Sequence, residues 1–466
     1  MYRKGGESPE EPCFCRWGAA PFPVAGAELR VHPSFIDLRT EPSRQRRVTQ
    51  MPSKRILPTI VAGAAAALFI ISACAPAAAP SPTQAPAKPA ATTAPAAPAA
   101  TTAPAAAPTQ AAQPAAGGTI KIGWGGPLTG DQAFFGKTWL NGAQLAVNEV
   151  NAAGGLLGKK LEIVALDDQA DPKQGTVVAQ RLADDSSIVA VIAHFNSGVT
   201  IPAEPIYNKA RLAQVTNSTN PKITQLGFDT IFRPIANDNM QGGLPAEYAI
   251  QQLKAKTAAV VHDKQAFGQG VSDVFAARFK ELGGTVTSVN GITHGDTDFS
   301  AVVTKIKNEN PDVIQFGGTH VDGGLLLKQI RAQGMKQPMF SDDGCYTPEF
   351  IQVAGKEASE GFMTTFQVPP YDSSPAAKAF AENYKKAFNE DPGPYSGNGY
   401  IEAQVIIQAI KAANSADREA IIKAMRNVSL NTMYGPIEFD STGEVKKPAV
   451  FLFQVQNGDF KLIWPK

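Results

Sequence analysis

At 466 residues the chain is too long for one ordinary core of about 100–200 residues. A net charge of +1 with no long basic run argues against a nucleic-acid partner, and five scattered histidines offer no dedicated metal site. The four cysteines, Cys13, Cys15, Cys74 and Cys345, form neither a disulfide framework nor paired zinc knuckles.

Residues 1–50 carry Pro, Arg and Glu without apolar periodicity and are read as a non-native N-terminal extension. From Met51 the chain reads as a signal peptide over 51–73, with Lys54 and Arg55 ahead of an apolar run at 56–71. That run is short of the roughly 20 residues a bilayer span needs and fits a signal-peptide core. It ends in Ile71-Ser72-Ala73-Cys74, which resembles a bacterial lipobox. The resemblance implies that Cys74 becomes a lipid-bearing N-terminus that holds the protein at a membrane surface. The alternative is an uncleaved anchor with an incidental cysteine. Residues 74–118 continue as an Ala/Pro/Thr-rich tract that cannot bury enough apolar surface to order, and are read as a disordered tether.

The pattern changes at Thr119. TIKIGW predicts a strand, followed by a glycine-rich loop and a helix with Leu140, Ala143, Val147 and Val150 on one face, stopped by Gly154-Gly155. LEIVALDD is a second strand, and Asp171-Pro172 cap and start a helix through Val177, Val178 and Leu182. SIVAVIA, nearly all apolar as a buried parallel strand should be, is a third, and RLAQVT a fourth. TAAVVHD, GTVTSV, PDVIQFGG and QPMFSDD repeat the pattern, with helices near 268–282, 298–309 and 322–333. This alternation predicts an α/β protein of two doubly wound lobes with parallel sheets covered on both faces. Ligands of such sheets bind beyond the carboxyl ends of the strands, so function is sought in loops 125–136, 167–171, 194–200, 216–221, 262–270, 317–323 and 342–346.

Those loops hold hydroxyls, aromatics and a few carboxylates but no catalytic constellation. His194 with Ser197 lacks a nucleophile elbow, and Cys345 has no histidine partner. Gly130 and Gly136 ahead of Lys137-Thr138 imitate a phosphate loop, but five residues separate the glycines where four are required. The chain is therefore expected to be no enzyme and to use no cofactor.

Asp167-Asp168 with Asp171-Pro172-Lys173-Gln174, then His194 with Ser197, Thr200 and Pro202, occur in an order similar to leucine/isoleucine/valine-binding periplasmic proteins. Val261-His262-Asp263-Lys264-Gln265 with Gly268, and Gly317-Gly318, extend the resemblance over essentially 119–466. It implies a type I periplasmic binding fold whose lobes, 119–237 plus 367–447 and 238–366 plus 448–466, are joined by three crossovers near Asn237, Phe366 and Lys447 and close on a ligand between them. It further implies that Ser197, Ser218 and Thr219 hold a ligand carboxylate, with Asp343 and the Asn217 carbonyl receiving its ammonium. Phe135, Phe267, Thr319 and Tyr395 stand at positions that wall the pocket. Read without the resemblance, Ser197 and Thr219 are simple helix caps and Asp343 a solvated loop carboxylate.

Several residues depart from the family pattern. Asp343 replaces a longer glutamate, Thr319 an aromatic residue and Asn217 a small one, while Ala170 and Asn196 replace cysteines that some relatives pair. These changes put a branched-chain ligand in doubt but keep an amino-acid-like one. The expected role is a monomeric, lipid-anchored extracytoplasmic solute-binding protein serving ABC permease subunits. The alternative is a sensory receptor for amides or small carboxylates that signals through a membrane partner.

Overall fold

The structure, a computed structural model, describes residues 117–465. The extension at 1–50, the signal peptide, Cys74 and all but the last two residues of the tether lie outside the described residues.

The chain begins β1 (Thr119–Gly126), α1 (Ala133–Ala152), β2 (Lys160–Asp167), α2 (Pro172–Asp184), β3 (Ile188–Ala193), α3 (Ser197–Lys209), β4 (Ala213–Val215), α4 (Lys222–Gln225) and β5 (Ile231–Phe232). Asp171 caps α2 by accepting from the Gln174 amide at 2.8 Å, with Pro172 at the first helical position. The strands form one parallel sheet in the order β2-β1-β3-β4-β5. All six residues of β3 are buried, as a central parallel strand between two helix layers requires.

The chain then builds a second sheet with α5 (Asp238–Gln251), β6 (Thr257–His262), α6 (Ala266–Glu281), β7 (Thr285–Gly291), α7 (Ser300–Glu309), β8 (Val313–Gly317), α8 (His320–Ala332), β9 (Met339–Ser341), α9 (Pro348–Ala354), α10 (Lys356–Ser359) and β10 (Met363–Phe366). It returns to the first lobe through α11 (Pro375–Phe388), α12 (Ser396–Ala413), α13 (Arg418–Met425) and a hairpin, β11 (Ser429–Thr432) and β12 (Gly435–Glu438). It ends in the second lobe with β13 (Phe451–Gln456) and β14 (Asp459–Trp464). The second sheet runs β14-β13-β10-β9-β8-β6-β7 and is parallel from β10 to β7. The terminal pair is antiparallel and was not apparent from hydrophobic periodicity.

Each sheet has apolar layers on both faces. In the first lobe Trp124, Trp139, Val147, Val405 and Ile406 pack on one side, and Val178, Leu182, Ala203 and Tyr207 on the other. In the second, Val260, Phe275 and Phe279 lie on one face, whereas Val261, Ile306, Leu326 and Phe350 lie on the other. Cys345 is an unpaired thiol buried in that last layer.

The crossovers pass side by side. Arg233, just after β5, is fully buried and pairs with Glu444 ahead of β13. Its backbone amide donates to the Gly443 carbonyl at 2.8 Å, and the Val445 amide donates to the Arg233 carbonyl at 3.1 Å. The guanidinium also donates to the carbonyls of Ser218 (3.0 Å) and Asn220 (2.9 Å). A buried arginine needs this many acceptors to offset its lost hydration.

Candidate functional site

The carboxyl ends of β3, β4, β6, β8 and β9 converge where the two lobes meet. The lobes touch directly there. Tyr395 Oη donates to the Asp343 carbonyl at 2.8 Å, and Asn220 Nδ2 to the Ala266 carbonyl at 2.7 Å. The rings of Phe135 and His320 meet edge to face at 4.9 Å. Between the lobes lies a narrow cleft with little free space. Phe195, Asn196, Ser197, Asn217, Thr219 and Tyr395 line it from the first lobe, and Phe267, Thr319, Asp343 and Gly344 from the second.

Seven residues expected from the sequence, Ser197, Asn217, Thr219, Phe267, Thr319, Asp343 and Tyr395, are therefore brought together. Phe135 and Ser218 are placed differently. Phe135 is fully buried behind the cleft, stacked on Phe195 at 5.5 Å and against Tyr395 at 5.2 Å. It supports the wall without forming the lining. The Ser218 hydroxyl faces inward, 3.0 Å from the carbonyls of His194 and Phe195 and 2.5 Å from the Thr200 hydroxyl. Its hydrogen-bonding capacity goes into bracing the loop. Phe195 was not anticipated as a lining residue; its place two residues after the apolar strand β3 is the signal that could have found it.

The first-lobe wall is built on the start of α3. Ser197 and Gly198 occupy its first turn, where backbone N–H groups have no intrahelical partner and the helix dipole is positive. The Ser197 hydroxyl accepts from the Asn220 amide at 3.2 Å, tying α3 to the loop after β4. Beneath it, buried His194 is held between Asp168 (2.7 Å) and the Tyr207 hydroxyl (3.0 Å), so its role is positional. Its carbonyl receives the Thr216 hydroxyl at 3.1 Å. The Asn217 side-chain carbonyl accepts from Asn398 Nδ2 at 2.8 Å. This wall offers hydroxyls and amides and no charged side chain.

The second-lobe wall carries the charge. Asp343 is buried, one carboxylate oxygen accepting from Gln367 Nε2 and the other without a hydrogen-bond partner. Burial pushes its pKa up to about 6, against the pull of the hydrogen bond from Gln367. Asp342 lies beneath with both oxygens unpaired, and burial, then the charges of Asp343 and Asp238, raise it well above the usual range. Asp238 is pushed to about 7, again by burial first. A cluster of desolvated carboxyls with a free acceptor suits a cationic group. Within this wall α6 packs closely on the end of β8, where a Cβ on Gly268 would sit 2.5 Å from the Gly317 carbonyl oxygen.

The family model described as periplasmic binding protein matches residues 119–459. An amino acid binding protein of Pseudomonas aeruginosa is 37% identical over 329 residues, covering 70% of this chain and 87% of that protein. Leu/Ile/Val-binding protein homolog 1 of Brucella abortus is 36% identical over 341 residues, covering 73% of this chain and 91% of its own length. The crystal structure of a leucine binding protein from Thermotoga maritima superposes with a TM-score of 0.69 at 32% identity, covering 74% of this chain and 97% of that one.

Proposed function

The chain belongs to the periplasmic binding protein family, a family of extracytoplasmic solute-binding proteins, and from that premise we propose that it captures an amino-acid-like ligand by lobe closure and delivers it to an ABC importer. The observation that carries the ligand class is the opposition of the α3 N-terminus on one lobe to the free carboxylate oxygen of Asp343 on the other. The ligand carboxylate is assigned to the first-turn amides of α3 with the hydroxyls of Ser197 and Thr219, a site that needs no lysine. The ammonium is assigned to Asp343, with the Asn217 carbonyl beside it. Phe195, Phe267 and Tyr395 exclude water around the side chain.

Closure is then a population shift. A zwitterion spans both walls only when the lobes meet, so it favours the closed state by the contacts it gains there. In this reading the closed form docks on the permease subunits, the protein acts as a monomer, and lipid on Cys74 keeps it at the membrane. It works by binding, without turnover.

A thermal-shift screen of the purified chain against amino acids, small amides and organic acids tests the assignment. Ligand at 100 times its dissociation constant should add about 2.7 kcal/mol of stability. A shift confined to amino acids and lost in Asp343→Asn supports the reading. Equal shifts with acids that lack an ammonium remove the role given to Asp343.

A further inference from the structure

We propose that the cleft selects an amino acid whose side chain carries a hydroxyl or a carboxamide, and that Asn196 and Thr319 read it. The inference rests on the amino-acid reading above and narrows it. An amino acid's common part is served by the α3 amides, Ser197, Thr219, Asn217 and Asp343. Two polar atoms of the lining remain beyond that set. Asn196 Oδ1, on the first lobe, and Thr319 Oγ1, on the second, are both buried without a hydrogen-bond partner.

Neither residue is explained by the fold around it. Asn196 stands at the N-cap of α3 and Thr319 at the N-cap of α8, yet neither side chain makes the capping bond its position allows. The Asn196 amide group instead pairs at 2.7 Å with the side-chain oxygen of buried Gln132, which fixes its plane. Whichever of the two amides donates, one polar atom of Asn196 stays unpaired. Thr319 is buried and its hydroxyl can donate or accept. The rest of the lining around them is aromatic, from Phe195, Phe267 and Tyr395.

An aliphatic side chain in this space leaves both atoms desolvated and unpaired, and that cost is charged against its affinity. A hydroxyl supplies a donor for Asn196. A carboxamide supplies a donor for Asn196 and an acceptor for Thr319.

Calorimetric titration of the full chain with two matched pairs, threonine against valine and asparagine against leucine, tests this. The polar member of at least one pair should bind about tenfold or more tightly than its apolar partner. Asn196→Ala and Thr319→Val should each shrink that ratio while leaving the apolar partner's affinity unchanged or improved. Because the readout is a ratio within one protein, a partly unfolded variant does not distort it. Apolar members binding as tightly as polar ones, or a preference that survives both substitutions, would overturn the polar subsite and leave amino-acid binding intact. No heat with any of the four, together with no thermal shift from any other amino acid, would instead overturn the amino-acid reading, and this inference with it.

Discussion

The two walls of the cleft differ in charge and in how completely they are satisfied. The first-lobe wall has no charged lining side chain, and the loops behind it are tied together: the His194 carbonyl gathers hydroxyls, and Arg233 holds the Ser218 and Asn220 carbonyls. The second-lobe wall contains a carboxyl whose burial is uncompensated, with unpaired oxygens on Asp343, Asp342 and Thr319. The first wall is largely braced in advance, with Asn196 Oδ1 its one unpaired lining oxygen; the second is completed by what binds. A divided site of this kind places its charge on the second lobe, while each lobe contributes one unpaired polar atom, Asn196 Oδ1 and Thr319 Oγ1.

Four experiments break or sharpen that contrast. The largest effect should come from the braced wall. Arg233→Ala takes the guanidinium donor from the Ser218 and Asn220 carbonyls and leaves Glu444 without its cation, so it should cost about 3–5 kcal/mol of stability in urea denaturation. Asp343→Asn should weaken an amino-acid ligand by about 100-fold, roughly 3 kcal/mol, in calorimetry. The unliganded variant should melt no lower than the parent, because the lost carboxylate was destabilised by burial.

The third experiment is a pH series. Asp343 must be ionised to hold an ammonium, so affinity should be flat above about pH 6 and fall about tenfold per unit below it. Stability of the unliganded protein should run the other way. Burial raises Glu204 from 4.5 to about 8 and Asp238 from 3.8 to about 7, so the folded state binds more protons than the unfolded one between those values. Stability should therefore be greater at mildly acidic pH and decline as pH rises through 7 to 8, read as melting temperature across buffers. The smallest effect is Ser197→Ala, about five- to tenfold in affinity, because the α3 backbone amides remain.

The sequence is informative where one physical term dominates. SIVAVIA and TAAVVHD announce buried parallel strands because both faces are apolar, and Asp171-Pro172 announces a helix start because only a few residue types satisfy those amides. The antiparallel β13–β14 pair was harder to see, since it lies at the sheet edge with mixed burial along both strands. In the site, residues at strand ends were found through the resemblance and the strand-end rule. The layering of Phe195 over Phe135, and the inward turn of Ser218, depend on side-chain direction across elements distant in sequence. Local pattern carries no record of that.

The aromatic packing behind the cleft also gives the protein a built-in optical probe. Trp139 lies 6.0 Å from Phe195, which lines the cleft, and 4.9 Å from Trp124 at an interplanar angle of 53°. Two indoles this close couple their transitions, so a ligand that presses on Phe195 should change near-ultraviolet circular dichroism and emission without any attached dye. Trp464, against Tyr248 at the far edge of the second sheet, supplies an internal reference that ligand does not touch. The proposed lobe closure thus becomes testable by spectroscopy on the unlabelled protein.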